Sequence, residues 1–260
     1  MRSTAPATAA VATPLSAHAT ADSRNVALFG SLAADWWDPQ GSSRLLHRIN
    51  PPRLAFIRDA AVARFGCADA PRHRPLAGLS ALDVGCGGGL VAEPLARMGA
   101  AVVGLDAGAE VIAVARAHAA AQGLAIDYRV GEVTGLAAER PAAFDLVTCL
   151  EVIEHVADRA AFLAALAALL RPGGLLVFST PNRTIAARVG LIWGAERIAR
   201  LIPDGGHDWH RFVTPAELTT MMAAAGLSVR MIRGLGWSPW RGFHIGDDTA
   251  IDYIGTATAA

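Results

Sequence analysis

An α/β fold with a mostly parallel sheet, covered by helices on both faces, is predicted by three observations. From Ser80 onward, short apolar runs alternate with helical patterns. The turn after the first run is rich in glycine, Gly85-Cys86-Gly87-Gly88-Gly89, and opens into a helix. Asp106 ends the second run, 21 residues past Gly85. Strands alternating with helices at this spacing pair in parallel and are buried on both sides. Ligands of such sheets bind at the carboxyl ends of the strands.

The elements follow in order. Residues 1–22 are mostly Ala, Thr, Ser and Pro without hydrophobic periodicity, and a disordered tail is expected there. Pro6, Thr13 and Pro14 interrupt any secretory apolar core, and no run approaches the roughly 20 residues that span a bilayer. A single domain is expected over 23–260, with an N-terminal helical cap at 24–75. Val26–Trp37 reads as one helix, ended by Pro39 and Gly41, and Pro51-Pro52 as the start of the next, because proline suits a first turn. Ala81–Val84, Ala101–Leu105, Ile126–Val130, Phe144–Leu150 and Leu175–Ser179 read as strands. Leu90–Met98, Glu110–Ala121 and Ala160–Leu170 read as the helices between them; Gly123 closes the second, and Pro172-Gly173-Gly174 stops the third. Thr184–Ile202 then reads as a helix inside a lid insertion, 184–212, after strand five. Thr214 and Glu217 form a capping box for a helix over Pro215–Ala225. Leu227–Arg233 and Thr249–Thr256 complete a sheet of seven strands.

Composition narrows the chemistry. The chain has 260 residues, 53% hydrophobic and 18% charged, which suits a packed core. All 23 basic residues are arginine and are balanced by 23 acids, so no overall field draws the protein to nucleic acid. The absence of lysine excludes Schiff-base enzymes and the Walker P-loop. Cys67, Cys86 and Cys149 contain no C-x-x-C pair, which argues against a disulfide framework and for a reducing compartment. Cys86 and Cys149 are expected as small packing residues.

The glycine turn lets backbone amides approach a ligand closely. Asp106 is placed to accept hydrogen bonds from both hydroxyls of an adenosine ribose. Nicotinamide enzymes share this geometry, but the position of their third fingerprint glycine is Leu90 here. Asp83 would repel a pyrophosphate and suits a cationic ligand. Further on, Glu151, Glu154 and His155 form an E-x-x-E-H cluster at the mouth of the sheet. Residues three and four apart share a helix face. Three readings stand: ligation of a hard divalent ion by these oxygens and the imidazole, a general-base His155 without metal, or acids favouring a helix start.

Together these stretches resemble the class I S-adenosylmethionine-dependent methyltransferases, whose Rossmann-like fold matches the prediction above. Phe144-Asp145-Leu146-Val147 and Leu170-Arg171-Pro172-Gly173-Gly174 strengthen the likeness. Asp35-Trp36-Trp37-Asp38, Leu46-His47-Arg48-Ile49-Asn50-Pro51, Glu151–Val156 and His207-Asp208-Trp209-His210 narrow it. They resemble the ubiquinone-biosynthesis O-methyltransferases, from about Val26 to Ile254. The resemblance implies methylation of polyprenylated catechols and hydroquinols, with S-adenosylmethionine as donor. It implies donor contacts at Gly85, Asp106, Leu150 and Arg48, with Gly87 and Asp83 in the same loop region. It also implies a divalent cation, magnesium, at Glu151, Glu154 and His155, which with the proton-accepting role of His155 makes these three the expected catalytic residues. Bound to adjacent ring oxygens, a cation would favour the phenolate. Rival readings are a methyltransferase of another small aromatic acceptor and a non-catalytic nucleotide-binding scaffold.

Because a polyprenyl substrate lives in the bilayer, the apolar, arginine-bearing segment 184–202 is a candidate for peripheral membrane contact. Arg188, Arg197 and Arg200 do not gather on one helical face, so core packing of a lid stands equally. The expected setting is cytoplasmic, at the inner membrane face, with a ubiquinone-biosynthesis assembly as a partner. His207-Asp208-Trp209-His210 reads as a loop closing over substrate, and Trp36, Trp37, Trp237 and Trp240 as candidates to line the quinol pocket.

Overall fold

A computed structural model describes residues 26–27, 30, 33–66, 70–188 and 209–259. Its centre is one eight-stranded sheet. The strands are β1 (Ser80–Val84), β2 (Ala101–Asp106), β3 (Ile126–Val130), β4 (Phe144–Leu150), β5 (Leu170–Pro181), β6 (Leu227–Ser238), β7 (Gly242–Gly246) and β8 (Asp252–Ala259). Their spatial order is β3-β2-β1-β4-β5-β8-β6-β7. The first five pair in parallel, and β8, β6 and β7 continue the sheet antiparallel. The order reverses between β1 and β4, so the carboxyl ends of these two strands frame the crevice.

Alternation along the strands sends neighbouring side chains to opposite faces. Leu82, Val103, Val147, Leu176 and Phe178 pack beneath helices α4 (Val133–Glu139), α5 (Arg159–Leu169) and α6 (Pro215–Ala224). Ala81, Val102, Leu146, Leu175 and Val177 face α1 (Arg44–Phe65), α2 (Ala92–Arg97) and α3 (Ala109–Ala121). A third, small cluster of Ala33, Trp36, Leu90 and Val111 fastens the N-terminal segment to the glycine-turn end of the sheet.

Several expectations are corrected. Helix α1 begins at Arg44, with Pro51 and Pro52 inside it. Each proline removes a backbone donor, but Ile49, Asn50 and Arg53 are buried on either side and keep the helix continuous. The end of the expected Val26–Trp37 helix is a 3₁₀ turn, Ala33–Asp35, because Asp35 turns its carboxylate to the Ser42 amide and hydroxyl. Pro172-Gly173-Gly174 is no interhelical stop: β5 starts directly at Leu170 and runs through it, with a register shift opposite Phe144 and Leu146. The eighth strand, β7, was hidden because Gly-Phe-His-Ile-Gly is too short and glycine-flanked to show alternation. Helix α4 was missed for the same reason of length.

The capping box predicted at Thr214 and Glu217 is present. Thr184 caps a single turn, Ile185–Ala187; beyond Arg188 the expected lid helix lies outside the described residues, as do His207, Asp208, Cys67 and the 1–22 tail.

Candidate active site

The glycine turn leaves β1 with Gly85 at φ +69° and Gly87 at φ +50°, left-handed conformations that cost an L side chain roughly 1–2 kcal/mol. Space is also denied. A Cβ at Gly85 would stand 2.4 Å from Val152 Cγ2, and one at Gly87 would stand 2.4 Å from Trp36 Cζ2. Glycine is therefore dictated twice, by torsion and by contact. Across from the turn, Asp106 closes β2. Its Oδ2 accepts from the Gly87 amide at 2.9 Å and its Oδ1 from the Gly108 amide at 2.8 Å. Burial raises its pKa, with the Gly108 and Gly87 amides opposing the shift. A carboxylate oxygen accepts more than one hydrogen bond, so Asp106 retains capacity for ribose hydroxyls. The turn and this carboxylate thus fit a nucleoside-bearing ligand.

Asp83 sits behind the turn, 3% exposed, with Oδ1 accepting the Thr148 hydroxyl at 2.7 Å. Burial pushes its pKa up to about 7, opposed by Thr148 and the Ala92 amide. Arg48, expected to grip a carboxylate, is exposed on α1 with its guanidinium 5.9 Å from the Phe243 ring centroid. Leu150 is half-buried at the end of β4, paired with Ser179. Cys86 and Cys149 are buried, and burial pushes both thiols well above their ordinary range, as packing residues require.

Beside the turn, Glu151 leaves β4 in a left-handed conformation, φ +55°, unusual for a residue with a side chain. Its Oε1 lies 2.7 Å from Arg53 Nη2 and accepts the Ser179 hydroxyl at 2.5 Å. Arg53 is 2% exposed and also lies 3.8 Å from Asp252 Oδ2. Asp252 is held well above the carboxylate range by burial first, then by Glu151, with Arg53 opposing. Arg53 Nε and Asp252 Oδ1 are buried without a hydrogen-bond partner. Glu154, 2% exposed, accepts the Thr180 hydroxyl at 2.8 Å and lies 3.8 Å from His155 Nε2.

This geometry bears on the expected metal set. Among the described residues no group of three or more His, Cys, Asp or Glu is placed to hold an ion. Glu151 turns toward Arg53 and Ser179, while Glu154 gives Oε2 to Thr180 and holds Oε1 3.8 Å from His155 Nε2. A guanidinium already supplies the positive charge next to Glu151. This arrangement does not support a divalent ion at these three residues.

Sequence reasoning missed Arg53, Asp252, Ser179 and Thr180. A signal existed for the first: Arg53 lies three residues past Asn50 and four before the apolar Ile57, and so shares a buried helix face. The four tryptophans divide. Trp36 and Trp37 lie on the glycine turn, whereas Trp237 and Trp240 are exposed, at 54% and 93%. Trp209 donates to the Thr184 carbonyl at 3.0 Å.

A turn of this shape, an acid closing the next strand and an acidic cluster after β4 define a class I methyltransferase site, and the comparisons agree. Residues 43–231 match the family model described as a methyltransferase domain. The magnesium protoporphyrin IX methyltransferase of Synechocystis PCC 6803, solved with bound SAH, superposes with a TM-score of 0.56 at 21% identity, covering 83% of this chain and 87% of that one. The protein is an S-adenosylmethionine-dependent methyltransferase.

Sequence comparison is more specific. The ubiquinone biosynthesis O-methyltransferase of Azorhizobium caulinodans is 47% identical over 92% of this chain and 94% of its own. That of Parvibaculum lavamentivorans is 45% identical over 94% and 96%. The chain belongs to the ubiquinone biosynthesis O-methyltransferase family.

Proposed function

We propose that this enzyme methylates the ring hydroxyl of a polyprenyl catechol or hydroquinol in ubiquinone biosynthesis, with His155 as the proton acceptor. The supporting observation is that a proton-accepting cluster and the donor turn touch: Val152, one residue past Glu151, packs against Gly85. S-adenosylmethionine, when bound, supplies a methyl group activated by a positively charged sulfur. Asp106 and the glycine turn hold and orient the donor. Alignment of the two reactants is the larger part of catalysis for such a transfer.

His155 takes the proton of the acceptor hydroxyl as the oxygen becomes nucleophilic. Glu154, held in place by Thr180, lies 3.8 Å from the imidazole. The buried Arg53 limits the negative charge that Glu151 adds at the same mouth. Among the described residues no helix is long and apolar enough to cross a membrane. The prenyl tail of the acceptor is reached at the bilayer surface, with the apolar, arginine-bearing segment 184–202 as the contact.

The test is release of S-adenosylhomocysteine with a short-chain demethylubiquinol analogue. Replacing His155 by Ala is expected to lower kcat by about 10²- to 10⁴-fold, as for a lost general base. Wild-type turnover in that variant removes His155 from the chemistry. Absence of turnover by the wild type with this acceptor, but not with an unrelated catechol, removes the substrate.

A further inference from the structure

The glycine turn is held by a closed ring of contacts that the reaction itself does not call for. Trp37 Nε1 donates to the Gly88 carbonyl at 2.9 Å. The Trp37 indole stacks on the His118 imidazole, centroids 3.6 Å apart and planes 9° apart. His118 Nδ1 lies 2.6 Å from Glu93 Oε1. The Glu93 amide donates to the Gly89 carbonyl at 3.0 Å, which returns the ring to the turn. Four segments meet here: the N-terminal segment, the turn, α2 and α3. Trp36, carried by Trp37, lies across the turn: a Cβ at Gly88 would stand 2.3 Å from its Cδ1.

Two features argue for more than packing. Glu93 is 1% exposed, and a carboxylate so buried is costly unless its partners are fixed. It is fixed by His118 and by Arg97, whose Nη2 is 3.6 Å from its other oxygen. Among the described residues the apolar cluster that includes Trp36 has four buried members, Ala33, Trp36, Leu90 and Val111, and the polar ties of the ring add to its hold on the segment. A buried acid and a stacked imidazole are thus committed to a single backbone carbonyl of the donor turn.

We propose that Glu93, His118 and Trp37 are positioning residues that pin the Gly88 carbonyl and press Trp36 onto the turn, and so set how tightly the methyl donor is held. The proposal rests on the turn being the donor site. Loosening the ring frees the turn and the wall formed by Trp36, and affinity for the donor falls while the acceptor site is untouched.

Calorimetric titration with S-adenosylhomocysteine tests this, alongside urea denaturation. Trp37→Phe keeps an aromatic ring and deletes the hydrogen bond; a five- to tenfold loss of affinity is expected, the size of one buried hydrogen bond. Glu93→Gln, which keeps shape and loses charge, is expected to lose about threefold. The donor KM should rise in both, with the acceptor KM unmoved. Thr214→Ala, remote from the turn, calibrates a loss of stability alone and should leave affinity within twofold of wild type. Wild-type affinity in Trp37→Phe and Glu93→Gln, whatever their urea midpoints, overturns the proposal. No binding by the wild type overturns the donor-site assignment itself.

Discussion

The two halves of the active site stand side by side at the carboxyl ends of one sheet and are built by different means. At the β1–β2 mouth the backbone does the shaping: left-handed glycines make the turn, and Asp106 is tied by the amide of Gly108, two residues on, and by that of Gly87 in the turn after the neighbouring strand. At the β4–β5–β8 mouth the chain must be gathered. Arg53 comes from α1 and Asp252 from the last strand to meet Glu151. The first half is fixed by backbone torsion and hydrogen bonds, the second by charge in a buried setting. Helix α1 serves both: Asn50 donates to the Leu90 carbonyl at 3.3 Å, and Arg53 pairs with Glu151. The torsions of the turn survive change in distant elements, even where those elements set how firmly it is held, whereas the gathered charges fail if one contributor is lost.

Removing the shared cation breaks this contrast most severely. Arg53→Met leaves Glu151 and Asp252 without their buried partner and is expected to cost about 3–5 kcal/mol in urea denaturation at neutral pH. A cost under about 1 kcal/mol would mean that the acids are neutralised without it.

Next in size is a pH effect at Asp83. Its folded pKa, about 7, lies above the ordinary value of 3.8. Between those values the unfolded chain is ionised and the folded one keeps its proton. The contribution of Asp83 to stability is therefore complete below about pH 4 and lost as pH rises to 7. Asp83→Asn removes this dependence and should gain about 3–4 kcal/mol relative to wild type between pH 4 and pH 8, at 1.36 kcal/mol per pKa unit. Parallel pH curves for the two proteins would show Asp83 ionised throughout.

Gly87→Ala challenges the locally built half. Left-handed torsion and contact with Trp36 together predict a loss of about 2 kcal/mol, and Trp36 fluorescence should change as the ring is displaced. The smallest effect belongs to neither half: Thr214→Ala removes the capping box of α6, about 1 kcal/mol, and donor binding should not change.

Legibility follows the same division. The glycine turn, Asp106 and the five parallel strands were readable because each depends on residues near in sequence, through alternation or torsion. Arg53 reads as one more arginine on a helix until the fold buries it. Glu151, Glu154 and His155 are legible as a cluster, but the partners that hold them, Arg53, Ser179 and Thr180, come from other elements. The prolines at 51 and 52 misplaced a helix start because tertiary burial outweighed a local preference. Strand β7 and helix α4 were too short to carry a period.

The amino-acid order alone determined the five parallel strands, the glycine turn and the acid that ends the next strand, because backbone torsion and side-chain alternation act over a few residues. Only the folded chain decided which charges meet. Burial makes an unpaired charge costly, so Glu151 takes Arg53 from α1 as its partner, and no local pattern records a contact between residues so far apart.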